Sequence, residues 1–330
     1  MTSMLSSFRV MVEPQDGGTY EAILALALRA ETLGFGGFFR ADHYHPINVP
    51  PESDATECWA VLAGLARDTK AIRLGSLVSP VTFRHPGEFA KVVATVDRMS
   101  GGRIEVGMGA GWFEKEHVAY GIPFPSPGER LALLEESLEV CTRLWADGPA
   151  TFDGKLFRLK DAPGYPKPAQ RPRPPIILGG GGPKRTPALA ARFADEFNVS
   201  ARPHLETFAG DGGVFSARRQ RVLDACRQVG RDPAMECFSF ASPTVVGTDE
   251  RDVRRRSQRR LDCTNQRDEV DGWIARMRSY GMLVGTVDQV AERIKALRQA
   301  GCSRWYFQLA PVEDDGMLEI IAGELAPKCA

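Results

Sequence analysis

Residues 36–43 of the chain read Gly-Gly-Phe-Phe-Arg-Ala-Asp-His. Phe38 and Phe39 predict a short buried strand, which ends abruptly in Asp42 and His43. In parallel α/β proteins, the carboxyl ends of the strands usually carry the chemistry. A histidine there can titrate near neutral pH, and a neighbouring carboxylate can orient it or raise its pKa. The alternative is a simple turn, in which Asp42 caps the next element and His43 packs.

Strand-like and helix-like segments alternate along the chain on both sides of this stretch. Strands are predicted at residues 8–12, 36–41, 72–78, 103–108, 175–178, 196–199, 237–241 and 305–309. Apolar residues at steps of three and four predict the helices between them, for example Ile23, Leu26 and Ala30. Eight such units predict one α/β domain over residues 1–330, a (β/α)8 barrel. Insertions are expected after strand 4, before strand 5 and after strand 7, at residues 109–128, 162–175 and 247–285.

Composition narrows the classes of partner. Lys+Arg and Asp+Glu are equal at 42 each, so no net field attracts nucleic acid or anionic lipid. No apolar run approaches the ~20 residues of a membrane span, and the first residues lack the pattern of a secretory signal. The seven cysteines are scattered and form no Cys-x-x-Cys pair, as in reduced proteins. The sequence therefore predicts a cytoplasmic enzyme with a small-molecule substrate.

A run of four glycines is the strongest local signal. Gly179, Gly180, Gly181 and Gly182 follow an apolar strand and precede a helix that begins near Lys184 and Arg185. Converging backbone N–H groups and a helix N-terminus favour an anion there. The run lacks the Gly-Lys-Ser/Thr ending of a P-loop. A flexible turn with solvated basic residues is the alternative.

Two further patterns are weaker indications of a functional site. His43 and His45 could begin a metal site, but none of His85, His117 and His204 ends a later predicted strand, so no metal is predicted. A group of arginines lies in the third insertion, and a solvated helix face is expected there, with contact to an acidic ligand tail as the alternative. Its members are Arg251, Arg254, Arg255, Arg256, Arg259 and Arg260.

Together these pieces resemble the bacterial luciferase-like flavin and deazaflavin oxidoreductases. The resemblance spans nearly the whole chain and is carried by Ala41-Asp42-His43 and by residues 76–80, 83–86, 107–112, 177–186, 194–198 and 285–294. Residues 109–114, Gly-Ala-Gly-Trp-Phe-Glu, and 121–124, Gly-Ile-Pro-Phe, are most similar to the branch that uses coenzyme F420.

The resemblance implies a cofactor ring at the carboxyl-terminal mouth of the barrel. His43 would donate or accept a proton beside the ring, with Asp42 as its neighbour. The family often has a non-prolyl cis peptide in the third strand, which would fall at Ser76–Leu77 and support the ring. The implied cofactor contacts are Asp42, Ser76, Leu77, Val78, Gly109, Gly111, Gly179, Gly180, Gly181, Gly182, Lys184 and Arg185. A homodimer is also typical of the family.

The leading hypothesis is therefore an F420-dependent oxidoreductase that moves a hydride to or from a small organic substrate. The main alternative is a monooxygenase that uses reduced FMN and O2. Two further hypotheses are a metal-dependent hydrolase and a barrel that binds flavin without turnover. Sugar-phosphate dehydrogenases of this family have an acidic residue where Trp112 stands. An indole cannot relay a proton as a carboxylate does, so Trp112 argues against a sugar-phosphate substrate.

Overall fold

The computed structural model describes residues 4–50, 52–201, 213–264, 266–310 and 316–330. Its strands are β1 (Phe8–Val12), β2 (Gly37–Arg40), β3 (Arg73–Pro80), β4 (Ile104–Gly109), β5 (Ala150–Asp153), β6 (Arg158–Ala162), β7 (Ile176–Gly179), β8 (Glu196–Ser200), β9 (Cys237–Gly247), β10 (Leu283–Thr286) and β11 (Arg304–Leu309). Its α-helices are α1 (Tyr20–Leu33), α2 (Cys58–Asp68), α3 (Pro86–Ser100), α4 (Glu114–Ala119), α5 (Pro127–Trp145), α6 (Arg185–Phe193), α7 (Gly213–Gln228), α8 (Glu250–Cys263), α9 (Val270–Ser279), α10 (Val287–Gln299), α11 (Met317–Ile320) and α12 (Ala326–Lys328).

Eight parallel strands close into a barrel, as the sequence predicts. Their order is β11-β1-β2-β3-β4-β7-β8-β9, and the pairings of β9 with β8 and β11 complete the ring. The eight predicted strands and the (β/α)8 fold are thus confirmed. Helix ends follow the expected chemistry. The Thr19 hydroxyl accepts the amide of Ala22 at the start of α1, and Gly34 ends that helix in the left-handed conformation.

Side chains alternate between the two faces of the barrel wall. Outward residues such as Phe38 pack under the helices in the main core. A separate apolar cluster fills the lumen and consists of Met11, Phe39, Ala41, Leu77, Ile177, Ala241 and Tyr306. Within it, the rings of Phe39 and Tyr306 meet edge to face at 5.0 Å. By the same alternation His43 faces inward, two residues beyond Ala41, at the carboxyl end of β2.

A buried ionic network lies at the opposite, amino-terminal end of the lumen. Arg304 pairs with Glu196 at 2.6 Å and with Glu105 at 3.4 Å, and Arg73 also pairs with Glu105. The Tyr306 hydroxyl donates to Glu196 at 2.8 Å. The charges that surround Glu105 keep its pKa below its usual range although burial opposes this. This network fills the amino-terminal end of the lumen with paired charges.

The third strand contains an irregularity at the mouth. Ser76 pairs with Val106 of β4, and the pairing resumes only at Ser79 with Met108, so β3 has an extra residue. A non-prolyl cis peptide lies in this bulge, between Leu77 and Val78. The expectation of a cis bond at Ser76–Leu77 is therefore wrong by one residue, since regular pairing with β4 still holds at Ser76.

The insertions contain more structure than the sequence predicts. The first, predicted as a loop at residues 109–128, includes the short helix α4. An antiparallel hairpin of β5 and β6 lies just before the second insertion, residues 162–175, and was not predicted. The third contains α8 and α9, as expected, and also β10, which pairs with the second half of β9 from Thr244 to Gly247. The predicted seventh strand is therefore longer than expected and extends past the barrel rim. Among the described residues, no helix is both long and apolar enough to cross a membrane.

Candidate active site

His43 is held at the mouth by a carboxylate from a distant part of the chain. Its Nδ1 lies 3.0 Å from Oε1 and 3.1 Å from Oε2 of Glu116, and the amide of Tyr44 donates to the same carboxylate at 3.1 Å. Glu116 lies on α4 and is buried. Because a carboxylate only accepts, Nδ1 carries the proton and Nε2 is left to exchange one. No described residue hydrogen-bonds Nε2.

The surroundings of His43 favour its protonated form. Burial alone would lower the pKa of His43, but the hydrogen bond and charge of Glu116 raise it, and the charges of Glu13 and Asp42 add to this. The net effect is a pKa above the usual value of about 6.5. An imidazole of this kind can give a proton from Nε2 near neutral pH and take one back.

Asp42 faces away from His43. Its Oδ2 accepts from Arg84 at 2.7 Å and its Oδ1 accepts at 3.2 Å, a bidentate pair, and Arg84 also binds Glu57. Burial lowers the pKa of Arg84, but the charge and hydrogen bond of Asp42 outweigh this and raise it. Asp42 therefore contributes charge to His43 but no hydrogen bond, and it links the end of β2 to the segment before α3. Its predicted catalytic role stays a prediction.

Aromatic side chains form a lip over His43. The Trp112 ring meets the imidazole edge to face at 5.7 Å, and the Phe113 ring does so at 6.2 Å. Tyr44 stacks on Phe83 at 4.3 Å. Trp112 is 57% exposed, which is unusual for an indole, so its surface is available to a ligand at the mouth.

A second titratable residue, Glu13, lies at the mouth and was not predicted. It follows β1 directly and accepts hydrogen bonds from the side-chain amides of Gln15 and Gln308. Burial raises the pKa of Glu13, although the charge of His43 and these hydrogen bonds lower it in part. The mouth therefore contains an imidazole and a carboxyl group that influence each other's protonation.

The β3 bulge is supported from behind by β4. Ser76 is fully buried and its hydroxyl donates to the carbonyl of Gly107 at 3.1 Å. A Cβ at Gly107 would lie 2.1 Å from the Ser76 carbonyl oxygen, and one at Gly109 would lie 2.6 Å from Val78 Cγ2. Gly111 has a φ of 78° in the turn that follows. These glycines let the bulge approach β4, so Leu77 and Val78 can project toward the mouth.

The predicted anion site, the tetraglycine loop of residues 179–182, folds tightly over the start of α6. A Cβ at Gly180 would lie 3.1 Å from Thr186 Cγ2, and one at Gly182 would lie 2.9 Å from Thr186 Oγ1. A Cβ at Gly181 would lie 3.0 Å from Nη2 of Arg218, a buried residue of α7. The loop is thus a cradle in which added side chains would clash, and Arg218 brings a cation to it that was not predicted.

The two predicted basic residues of the loop are oriented differently. Lys184 is exposed and stands at the N-cap position of α6 without a capping hydrogen bond. Arg185 donates to the carbonyl of Gly128 at 2.8 Å, and its Nη2 lies 3.7 Å from Glu135 of α5. Their roles as cofactor ligands stay predictions.

The arginines of the third insertion have two environments. Arg254 pairs with Asp271 at 2.9 Å and Arg255 with Asp252 at 2.8 Å, and both are exposed, as expected for a solvated helix face. Arg256 also pairs with Asp252, at 2.9 Å, but it is buried, contrary to that expectation. Arg260 instead turns inward, is 8% exposed and donates to the backbone carbonyl of Gln308 at 3.2 Å.

The histidine pair shows no sign of a metal centre. His45 is hydrogen-bonded through Nδ1 to the carbonyl of Pro46. Within the described ranges, no three His, Cys, Asp or Glu side chains are grouped so that they could hold a metal ion. His204 lies outside the described residues.

Comparisons with known proteins show what the whole chain is similar to. A family model described as luciferase-like monooxygenase matches residues 1–304. An F420-dependent glucose-6-phosphate dehydrogenase of Beutenbergia cavernae is 33% identical over 327 residues, which cover 93% of this chain and 92% of the relative. A solved F420-dependent secondary alcohol dehydrogenase in complex with an F420–acetone adduct superposes with a TM-score of 0.80 at 21% identity, over 100% of both chains. A monooxygenase from Streptomyces bottropensis gives a TM-score of 0.82 at 24% identity, over 98% of this chain and 100% of that one.

Proposed function

Because the chain belongs to the luciferase-like monooxygenase family, we propose that this oxidoreductase uses coenzyme F420 to move a hydride to or from a small organic substrate. Its relatives named as F420-dependent dehydrogenases support the choice of cofactor. The observation that carries the proposal is the arrangement of the mouth. His43, held by Glu116, stands after β2, and the tetraglycine loop stands after β7, three strands away around the ring.

The tetraglycine loop fits a phosphate group. Its four glycines bring no side chains of their own to the backbone N–H groups, and α6 begins shortly after it, at Arg185. We propose that the amides of Gly179 to Gly182 hold the cofactor phosphate and that Arg218 neutralises it. Lys184 and Arg185 would add positive charge at the entrance, which suits the acidic glutamyl tail of F420.

The rim between the loop and His43 fits a flat ring. Leu77 and Val78 of the β3 bulge supply an apolar surface, and Gly109 and Gly111 keep the neighbouring strand end free of side chains. We propose that these residues contact the ring. Asp42 would act indirectly, since its pair with Arg84 fixes the end of β2 from which His43 projects.

His43 is proposed as the proton donor and acceptor. When bound, F420 supplies the group that accepts or donates the hydride. Oxidation of a substrate also releases a proton, and reduction consumes one. Nε2 of His43 can serve both directions, because Nδ1 stays bonded to Glu116 and fixes the ring orientation. Trp112 and Phe113 would cover the reacting atoms from solvent.

An FMN-dependent monooxygenase that uses O2 is the second candidate. FMN also has one phosphate and a flat ring, so the same loop and rim would accommodate it, and the family description includes monooxygenases. The basic residues near the loop favour F420, because FMN has no acidic tail to pair with them.

An assay with both cofactors tests the proposal. A panel of alcohols, ketones and unsaturated carbonyl compounds would be screened anaerobically for oxidation or reduction of F420, and in parallel for O2 consumption with reduced FMN. We expect substrate turnover with F420 and none with FMN. His43→Ala should lower the rate with F420 by a factor of about 10²–10⁴ while the affinity for F420 changes little. O2-dependent turnover with FMN and none with F420 would overturn the proposal.

We also propose that the enzyme acts on its small-molecule substrate as a homodimer, as is typical of the resemblance described above. The balanced charge gives no reason to expect a nucleic acid partner. Sedimentation of the purified protein would test the dimer.

A further inference from the structure

Arg260 is a buried cation at the mouth with few partners. It lies in the last turn of α8, in the third insertion, and its guanidinium reaches the end of β11. One of its five N–H groups donates to the Gln308 carbonyl at 3.2 Å. No carboxylate among the described residues lies within ion-pair distance of it. Burial lowers the pKa of Arg260 to about 10, and the nearby charges of Glu13 and Asp16 only partly offset this.

The other N–H groups of Arg260 are not sealed in the protein interior, so a ligand can reach them. A buried charge is normally paired or fully hydrogen-bonded, because its transfer from water is unfavourable. Arg256 shares the buried face of α8 with Arg260 but pairs with Asp252 at 2.9 Å, whereas Arg260 has no carboxylate partner of this kind among the described residues. Its partner Gln308 also donates to Glu13, which connects Arg260 to the titratable residues of the mouth.

The position of Arg260 separates it from the cofactor phosphate. In the order of the barrel, β7, which precedes the tetraglycine loop, lies four strands from β1 and so directly opposite it. Arg260 contacts β11, the neighbour of β1, next to Glu13 and on the side of His43. A ring whose phosphate lies at β7 would leave this side of the mouth to the substrate.

The charges near Arg260 restrict the ligand further. Glu13 and Asp16 lie near Arg260 and would repel a dianion more strongly than a monoanion. A planar carboxylate matches the geometry of a guanidinium in two parallel hydrogen bonds. Trp112, exposed at the lip, offers an apolar surface to the rest of such a molecule.

We propose that Arg260 binds the carboxylate of a monoanionic organic acid and that this acid is the substrate class of the enzyme. The substrate assignment rests on the proposed function, but the binding of a carboxylate by Arg260 does not. Arg260 is a binding residue here and takes no part in proton transfer.

The test compares carboxylates with amides of the same shape. Butyrate and butyramide, benzoate and benzamide, and cinnamate and cinnamamide would be titrated into the protein by calorimetry, with and without F420. We expect at least one acid to bind about tenfold tighter than its amide, the scale of one charge-assisted hydrogen-bonded pair. Arg260→Gln should abolish the preference, and Arg260→Lys should keep part of it. Inorganic phosphate should bind the F420-loaded protein more weakly than the preferred acid, since the cofactor phosphate then occupies the tetraglycine loop.

Arg254→Gln is the matched control, since it removes the same charge from the solvent face of the same helix. It should leave the preference intact. If no acid binds better than its amide, or if Arg260→Gln keeps the preference, Arg260 merely offsets the charge of Glu13 and the inference is wrong. Phosphate binding to the F420-loaded protein that is tighter than that of the acid, and that Arg260→Gln abolishes, would show that Arg260 does not select a monoanion. Failure of F420 to bind would refute the proposed function separately, because the titrations without cofactor still report on Arg260.

Discussion

Asp42 and His43 are adjacent in the chain, yet they have different partners. The Asp42 carboxylate binds Arg84 at 2.7 Å, whereas Nδ1 of His43 lies 3.0 Å from Glu116. Both residues follow the end of β2, and each is fixed by a side chain from a different later segment. Asp42 therefore acts on the scaffold and Glu116 acts on the imidazole, and substitutions of the two should have different effects.

Glu116→Gln should lower the pKa of His43. Burial lowers the pKa of His43, and the amide would keep the shape of the side chain but remove the charge that helps to offset burial, so the pKa should fall. NMR titration of the imidazole protons measures this directly. Glu114→Gln, an exposed position on the same helix, is the control and should change nothing.

The same variant tests whether protonation of His43 is coupled to the stability of the folded protein. Because the folded-state pKa of His43 is raised, its protonation stabilises the native protein fully below the unfolded pKa of about 6.5, and this contribution is lost as pH rises through the folded pKa. In Glu116→Gln, the free energy of unfolding should no longer fall over this pH range on account of His43. An unchanged pKa of His43 would show that Glu116 does not control it.

Asp42→Asn should act mainly on stability. It removes the charge of a buried carboxylate and leaves Arg84 with Glu57 as its remaining carboxylate partner, which should cost about 2–4 kcal/mol in the free energy of unfolding. Urea denaturation measures the cost. The pKa of His43 should stay raised, since Glu116 remains. A variant with normal stability but no activity would instead assign Asp42 to the chemistry.

Gly181→Val should weaken binding of any cofactor with a phosphate arm. A Cβ there already lies 3.0 Å from Arg218 Nη2, so the larger side chain must displace the guanidinium or the loop. Affinities for F420 and FMN should both fall, which fluorescence titration can follow. Gly323→Val, where an added Cβ meets open space, is the control. Unchanged affinity would remove the tetraglycine loop from the site.

Glucose 6-phosphate should not be a substrate. Trp112 stands where the sugar-phosphate dehydrogenases have an acid, and it cannot take part in proton transfer. The measurement is F420 reduction in the presence of glucose 6-phosphate, with the Beutenbergia cavernae relative as the positive control. Comparable rates for the two proteins would show that Trp112 does not exclude this substrate.

The barrel could be predicted because its strands are local. Segments such as residues 36–41 are short, apolar and followed at once by a polar rim, and eight of them alternate with amphipathic helices. The strand β10 was missed because its four residues run directly into the capping box of α10, where Thr286 and Gln289 already signal a helix start. Its partner is the far end of β9, a tertiary feature.

The site was only partly predictable. His43 and the glycines follow strands, and the same rule would have identified Glu13, which follows β1. Glu116 could not be found this way, because its contact with His43 joins residues 73 positions apart through a helix in a segment predicted as a loop. Arg260 and Arg256 are both on the buried face of α8, and sequence periodicity does not distinguish the one that pairs with Asp252 from the one that enters the mouth.

Equilibrium binding of the two cofactors tests directly whether the protein uses F420 rather than FMN. Purified protein, stripped of small molecules, would be titrated with F420 and with FMN under the same conditions. We expect one F420 molecule to bind per chain, and to bind more tightly than FMN. Gly181→Val should reduce both affinities. Tight binding of FMN with no binding of F420 would contradict the proposed use of F420.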